Sequence, residues 1–249
     1  MTAAVVSLRG VGVVYGAHPA LDGVDLDVAP GQRVALVGPS GAGKTTVLNL
    51  CTGTVAPTTG SVSVLGCDVG RATAAELRAL RRRVGTVYQQ LHLVGPLRVV
   101  HNVNAGRLGS WSTSRALRSL LHPIEVDEAR RALAEVGIAD KLDERTDRLS
   151  GGEQQRVALA RVLVQQPDLV LADEPVASLD PARADEVMDL LGTAAAEHGR
   201  TLLVSLHDFD LARRRCDRVV GLRAGRVVFD LPAADVTADV GTELYRIGT

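Results

Sequence analysis

The sequence predicts an α/β fold in which a mixed sheet forms the core, an antiparallel β-subdomain opens the chain, and an α-helical subdomain is inserted. Three observations support this prediction. Short apolar runs typical of buried parallel strands alternate with stretches of helical periodicity. The N-terminal region instead alternates apolar and polar residues, as a strand with one exposed face does. The 249 residues suffice for one such unit and its insertion without disulfides.

The predicted strands follow in chain order. Residues 24–28 alternate Val, Asp, Leu, Asp and Val, and residues 11–15 are their candidate antiparallel partner. Continuous apolar runs, typical of parallel strands covered on both faces by helices, predict the central strands at residues 33–37, 169–172 and 202–205. Near the C-terminus, two apolar stretches flank Ala224-Gly225 and predict a hairpin.

Helical periodicity dominates between the arginines near residue 81 and Pro167. Residues 126–136 and 153–164 carry apolar side chains at three- and four-residue spacing. We therefore expect a helical subdomain at about residues 91–150. It interrupts a core formed by about residues 1–90 and 151–249, and all parts belong to one domain spanning residues 1–249.

Composition argues against several classes of protein. A formal net charge of -1 and a pI of about 6.6 give no electrostatic reason to expect a nucleic-acid partner. Apolar residues never form the run of 18 or more that a spanning helix needs, and the N-terminus lacks a signal-peptide pattern. The distant cysteines favour free thiols over disulfides or a zinc site. We expect a cytosolic chain that reaches a membrane only through protein contacts.

A glycine-rich loop follows the predicted strand at residues 33–37 and precedes a helix-forming run. It fits G-x-x-x-x-G-K-[ST], and its residues are Gly38, Pro39, Ser40, Gly41, Ala42, Gly43, Lys44 and Thr45. Backbone N–H groups of such a loop converge on phosphate oxygens. Lys44 would bridge the β- and γ-phosphates, Thr45 would bind Mg²⁺, and Thr46 is a weaker candidate for the α-phosphate. The complete motif disfavours the alternative, an ordinary strand-to-helix turn.

Two carboxylates follow the buried run at residues 169–172. Asp173 would face the Mg²⁺ site and hold the hydration shell of the ion. Glu174 lies one residue further, at the carboxyl edge of the sheet where ligands collect, and is the candidate general base for an attacking water. A surface Asp-Glu-Pro turn is the alternative, which the upstream phosphate loop disfavours.

Adjacent glycines open the predicted helix at residues 153–164. Ser150 is a favourable N-cap, and Glu153 completes a capping box three residues later. Capping does not explain Gly151 and Gly152, because two glycines in a first turn reduce helix stability unless a phosphate approaches closely. The segment therefore predicts a second loop that contacts phosphate.

These three segments occur in the order found in the ATP-binding cassette family, which the chain resembles over nearly its whole length. The resemblance implies a P-loop NTPase fold with a RecA-like core, and hydrolysis of ATP with Mg²⁺. It also implies a head-to-tail homodimer in which each signature loop contacts the ATP of the opposite subunit. The residues of that loop are Ser150, Gly151, Gly152 and Glu153. Glu153 stands where the family more often has Gln.

The same resemblance implies further roles. Gln89 corresponds to a residue that touches Mg²⁺ and the attacking water and links the helical subdomain to the core. His207 corresponds to a switch histidine at the γ-phosphate, and Tyr15 to the aromatic residue that stacks on adenine. Ser178 and Asp180 correspond to a loop across the dimer interface. Taken alone, each is also compatible with an ordinary surface or core position.

Finer features resemble the ATPase subunits of importers for phosphonates and related reduced-phosphorus anions. They include Gly106-Arg107-Leu108-Gly109, the segment at residues 205–212, and Glu243-Leu244-Tyr245. Ser205 departs from this pattern, since Asn is expected there. The resemblance implies two transmembrane permease subunits, an extracytoplasmic substrate-binding protein, and a peripheral position on the cytoplasmic face of the cell membrane.

Other classes share this chemistry. An importer of another solute, or an exporter or lipoprotein-releasing ATPase, differs only in its membrane partner. A DNA-associated ATPase of the chromosome-maintenance type is disfavoured, because the sequence shows neither a long coiled coil nor a basic surface. A regulatory cassette without catalysis is disfavoured by the presence of Lys44, Asp173, Glu174 and His207.

Overall fold

The computed structural model describes residues 3–177, 179–197 and 199–245, with side chains except at positions 120, 121 and 238. In these ranges the strands β1 to β10 are Val6–Tyr15, His18–Val28, Arg33–Val37, Thr59–Val64, Cys67–Asp68, Val84–Val87, Leu169–Asp173, Thr201–Leu206, Arg218–Arg223 and Arg226–Pro232. The helices α1 to α9 are Lys44–Cys51, Ala74–Arg83, Val99–Asn104, Thr113–Leu121, Val126–Glu135, Gly151–Gln165, Pro181–Ala196, Phe209–Arg215 and Ala238–Tyr245.

The first sheet is antiparallel and has the strand order β2-β1-β4-β5. Val11 pairs with Val24, so the antiparallel opening predicted from the alternating pattern is confirmed. Alternation places Leu26 and Val28 in the core, while the aspartates beside them remain more exposed.

The second sheet has the order β10-β9-β3-β8-β7-β6. Strands β6, β7, β8, β3 and β9 are parallel, and β10 returns antiparallel to β9. The mixed sheet and the C-terminal hairpin are therefore confirmed. Because the central strands are parallel, the carboxyl ends of β3, β6, β7 and β8 meet at one edge, where ligand sites of such sheets form.

The central strands are buried on both faces, and alternate residues enter two different cores. Ala35 and Val37 pack in one core with residues of α5, α6 and α7. Val34 and Leu36 pack in the other with the antiparallel sheet and α1. The expectation of helices on both faces thus needs correction, because β1 and β2 form much of the second layer.

Helices α3, α4 and α5 lie in the stretch expected to form the helical subdomain, and the division of the domain at residues 91 and 150 stays a prediction. Helix α9, after the C-terminal hairpin, was not anticipated from the sequence. Among the described residues, none of the helices has both the length and the apolar character required to cross a lipid bilayer.

One buried amide connects the start of the helical region to the segment before α6. Asn102 in α3 is 3% exposed, accepts from the Val94 N–H at 2.8 Å, and donates to the Val94 carbonyl at 3.0 Å and to Thr146 Oγ1 at 2.8 Å. Asn102 and Thr146 are buried, so their hydrogen bond is made away from water, and the amide holds the segment at Val94 against the segment before α6.

We expect Asn102→Ala to lower the free energy of unfolding by about 1–3 kcal/mol, because it removes three hydrogen bonds and leaves the buried Thr146 hydroxyl without this partner. Urea denaturation measures the change, with the neighbouring substitution His101→Ala as the control. A loss no larger than that of the control would contradict this role of the amide.

Candidate active site

The loop between β3 and α1 is closely packed at its glycines. Gly38 has a φ of 150°, and a Cβ there would lie 2.1 Å from the Leu222 carbonyl oxygen. Gly43 precedes α1 with a φ of 107° and provides no side-chain cap. The first N–H groups of α1 therefore need another acceptor, and an anion bound at the loop would satisfy them.

Lys44 is the buried cation of this loop. Its side chain is 4% exposed, and Nζ donates to the Gly38 carbonyl at 2.8 Å and the Pro39 carbonyl at 3.3 Å. Nζ also lies 4.0 Å from Glu174 Oε1. Burial lowers the pKa of Lys44, while the charges of Glu174 and Asp173 act in the opposite direction. A bound phosphate would add a further anionic partner for this ammonium group.

Thr45 and Asp173 meet across the sheet edge. The Thr45 hydroxyl, in the first turn of α1, lies 3.3 Å from Asp173 Oδ1. This contact joins the start of α1 to the end of β7. A hydroxyl and a carboxylate are hard oxygen ligands of the kind that Mg²⁺ prefers, with water and phosphate oxygens completing its shell. These side chains therefore fit an Mg²⁺ ion.

Ser205 joins the Asp173 carboxylate to the backbone of Glu174. It is fully buried at the carboxyl end of β8, and its hydroxyl donates to Asp173 Oδ1 at 2.7 Å and accepts from the Glu174 N–H at 2.9 Å. Glu174 has a φ of 47°, a left-handed conformation that is uncommon for a residue other than glycine. The hydroxyl of Ser205 thus supports a backbone turn that aims Glu174 toward the loop.

His207 completes this group. Its Nε2 lies 2.5 Å from Glu174 Oε1, the same oxygen that faces Lys44. The Glu174 side chain is 21% exposed, which leaves it accessible to water. Glu174 therefore has a cationic neighbour and an imidazole neighbour, and it remains able to contact solvent.

An open depression of about 350 Å³ lies over the loop. Tyr15, at the end of β1, lines it together with the loop residues from Ser40 to Thr46 and with Glu174. Tyr15 is 47% exposed, so one face of its ring is free to stack. The structure thus places the candidate aromatic, phosphate and hydrolytic groups around one depression.

The signature loop lies apart from this depression. Ser150 caps α6, and Glu153 Oε2 accepts from the Ser150 N–H at 2.9 Å and from its hydroxyl at 2.8 Å. These hydrogen bonds, with a smaller effect of Lys141, lower the pKa of Glu153. Neither Gly151 nor Gly152 lines the depression over the loop of the same chain. The capping box is present as expected, and phosphate contact by these residues stays a prediction.

The remaining candidates are only partly described. Gln89 is exposed two residues beyond β6, whose Val87 pairs with Ala172 at the same sheet edge. Asp180 caps α7 by accepting from the Arg183 N–H at 3.1 Å. Ser178 lies outside the described residues.

The sequence showed Ser205 only as a departure from a pattern. Its contacts with Asp173 and Glu174 depend on strand pairing that the sequence does not display.

The phosphate loop, the strand-end carboxylates and the capped glycine pair on this mixed sheet define an ATP-binding cassette. A family model described as "ABC transporter" matches residues 21–177. The chain belongs to the ABC transporter family. The fold class predicted from the sequence is thereby confirmed.

Individual relatives support this assignment. "Phosphonates import ATP-binding protein PhnC" of Anaeromyxobacter dehalogenans is 53% identical over 96% of this chain, and the chain spans 48% of that relative's length. A protein of Pseudomonas syringae pv. syringae, "Phosphonates import ATP-binding protein PhnC 1", is 47% identical. The alignment covers 91% of this chain and 85% of that protein. The dimeric cassette MJ0796 is 30% identical with a TM-score of 0.78, covering 92% of this chain and 98% of its own.

We expect Ser205→Ala to lower kcat for ATP hydrolysis about 10-fold, because the Asp173 carboxylate loses a donor and the Glu174 N–H loses its acceptor. Phosphate release by the purified chain measures the effect. Ser63→Ala in β4 is the matched control, and thermal unfolding reports any loss of stability. Unchanged kcat in Ser205→Ala would show that backbone pairing alone positions Asp173 and Glu174.

Proposed function

We propose that this chain is the ATP-hydrolysing subunit of an ABC importer for phosphonates or related reduced-phosphorus anions. The observation that carries the hydrolytic part is Glu174, whose carboxylate lies beside Lys44 and His207 at the mouth of the phosphate loop. The names of the two relatives support the substrate class.

The binding residues act before the chemical step. Tyr15 stacks on the adenine ring, and the N–H groups of the loop and of α1 donate to the phosphates. Lys44 exchanges its carbonyl partners for β- and γ-phosphate oxygens, while Thr46 contacts the α-phosphate. Thr45, Asp173 and Gln89 would hold Mg²⁺, whose charge would offset the negative charge that develops on the phosphates.

Glu174 performs the proton chemistry. Its carboxylate accepts a hydrogen bond from the attacking water and takes the proton as the water oxygen bonds to the γ-phosphorus. The bond between the γ-phosphorus and the β–γ bridging oxygen breaks in the same step, and ADP and phosphate are the products. His207 contacts the same carboxylate oxygen, and in this proposal it also contacts the γ-phosphate. Ser205 keeps the Glu174 backbone in the conformation that this arrangement requires.

A homodimer completes the site in this proposal. Ser150, Gly151, Gly152 and Glu153 of one subunit contact ATP bound by the other, with Ser178 and Asp180 at the interface. MJ0796 gives support, since one of its structures is described as a dimer in a post-hydrolysis state bound to ADP and Pi, at 30% identity and a TM-score of 0.76. Two ATP molecules then close the dimer, and hydrolysis reopens it.

The transported anion binds elsewhere in the assembly. Selection belongs to an extracytoplasmic binding protein and two permease subunits, and the chain attaches peripherally at the cytoplasmic face of the membrane. The helical subdomain, at about residues 91–150, transmits closure to the permeases. A cavity of about 850 Å³ between α2 and the α3–α6 region supports this contact; Arg78, Arg82, Tyr88, Gly106 and Arg107 are among its lining residues.

We expect Glu174→Gln to bind ATP and to hydrolyse it about 10²–10⁴ times more slowly, because an amide cannot take the proton. Phosphate release and binding of a fluorescent ATP analogue measure the two effects, with the exposed substitution Glu197→Gln as the control. Equal hydrolysis by Glu174→Gln and wild type would remove Glu174 from the role of general base.

The substrate class is tested by uptake. Cells that lack this gene are complemented with wild type or Glu174→Gln, and entry of a labelled alkylphosphonate is compared with entry of phosphate. We expect wild type alone to restore alkylphosphonate uptake and phosphate uptake to be unaffected. Equal alkylphosphonate uptake in all strains, with the protein expressed, would refute the phosphonate assignment and leave phosphite or another solute to be tested.

A further inference from the structure

The C-terminal helix α9 is anchored on the elements that flank His207. Leu244 is buried in the same core cluster as Leu206, at the end of β8, and Leu211, in α8. A Cβ at Gly241 would lie 2.9 Å from ring carbons of Phe209, so the helix packs directly on the first residue of α8. These contacts hold α9 against the segment that carries His207.

A second anchor joins α9 to the hairpin beside the phosphate loop. The Arg223 guanidinium, at the end of β9, donates to the Glu243 carbonyl at 3.3 Å. The preceding residue of β9, Leu222, is the one whose carbonyl faces Gly38. Helix α9 is therefore fixed relative to both the switch segment and the start of the phosphate loop.

Tyr245, the last described residue of α9, contacts the backbone of His207. Its hydroxyl donates to the backbone carbonyl of His207 at 3.0 Å. Burial raises the pKa of the Tyr245 phenol, and a hydrogen bond with the Gly38 backbone partly offsets the rise. The phenol is therefore protonated at neutral pH and available as a donor. The side chain lies between the switch segment and the phosphate loop.

The hydrogen bond from Tyr245 restrains His207 because this residue lies in a short connection between β8 and α8. Strand β8 ends at Leu206, and Asp208 already caps α8 by accepting from the Leu211 N–H at 2.9 Å. His207 is the single residue between these two fixed points. A hydrogen bond to the His207 carbonyl restricts rotation of the peptide plane between His207 and Asp208. It thereby restricts the direction in which the imidazole side chain points.

We propose that Tyr245 is a positioning residue for ATP hydrolysis: through its hydrogen bond to the His207 carbonyl, it keeps the imidazole directed at Glu174. The C-terminal helix is then part of the hydrolytic apparatus, although none of its described side chains lines the depression over the phosphate loop. This inference rests on the proposed role of His207. It assigns a function to the Glu243-Leu244-Tyr245 segment, which the catalytic motifs leave unexplained.

The test is a double-mutant cycle on the purified full-length chain, with kcat and the KM for ATP measured by phosphate release. Tyr245→Phe keeps the ring and removes only the donor, so we expect a decrease in kcat of about 3- to 10-fold with the KM for ATP unchanged. On a His207→Ala background, the same substitution is expected to have no further effect. Glu243→Gln, exposed in the same helix, is the matched control.

The outcomes separate this inference from the role on which it rests. If Tyr245→Phe lowers kcat equally in wild type and in His207→Ala, the positioning role of Tyr245 is overturned, because Tyr245 would then act independently of His207. A large loss in His207→Ala with no loss in Tyr245→Phe would also overturn it while leaving the role of His207 intact. Full activity in His207→Ala would overturn both. Thermal unfolding is measured for every variant, and the cycle decides between the outcomes even if Tyr245→Phe lowers Tm.

Discussion

The pairing of β7 with β8 is the constraint on which the site depends. Their parallel register sets Asp173 opposite Ser205, and one buried hydroxyl then bridges the carboxylate and the next backbone N–H. A shift of one residue would turn Asp173 toward the other face of the sheet. Thr45 and His207 meet the carboxylates only because β3 and β8 end at the same edge. The geometry of the site is thus set by strand register.

Charge at this edge is arranged around Lys44. Burial makes its ammonium group costly, and two loop carbonyls with the nearby Glu174 carboxylate compensate for the lost water. The same partners are exchangeable, since phosphate oxygens satisfy the ammonium group at least as well.

Sequence reasoning predicted the features whose information is local. The phosphate loop, the capping box of Ser150 and the buried apolar runs each depend on neighbouring residues, and the structure contains all of them. The contacts of Ser205 and Tyr245 depend on residues 31 and 38 positions away along the chain. Helix α9 is short, and its helical periodicity over eight residues is too brief to identify. Tertiary packing, which spacing does not encode, positions these groups.

Glu153 shows how a departure from the family pattern is accommodated. A carboxylate near a phosphate of the opposite subunit would repel it, whereas the commoner Gln is neutral. In this chain the Glu153 carboxylate accepts two hydrogen bonds from Ser150, and Lys141 Nζ lies 3.8 Å from its other oxygen. The N-terminus of α6 adds positive potential beside it. The negative charge is thus directed into the capping box and away from the N–H groups of Gly151 and Gly152, which would contact phosphate together with Ser150 in the proposed dimer.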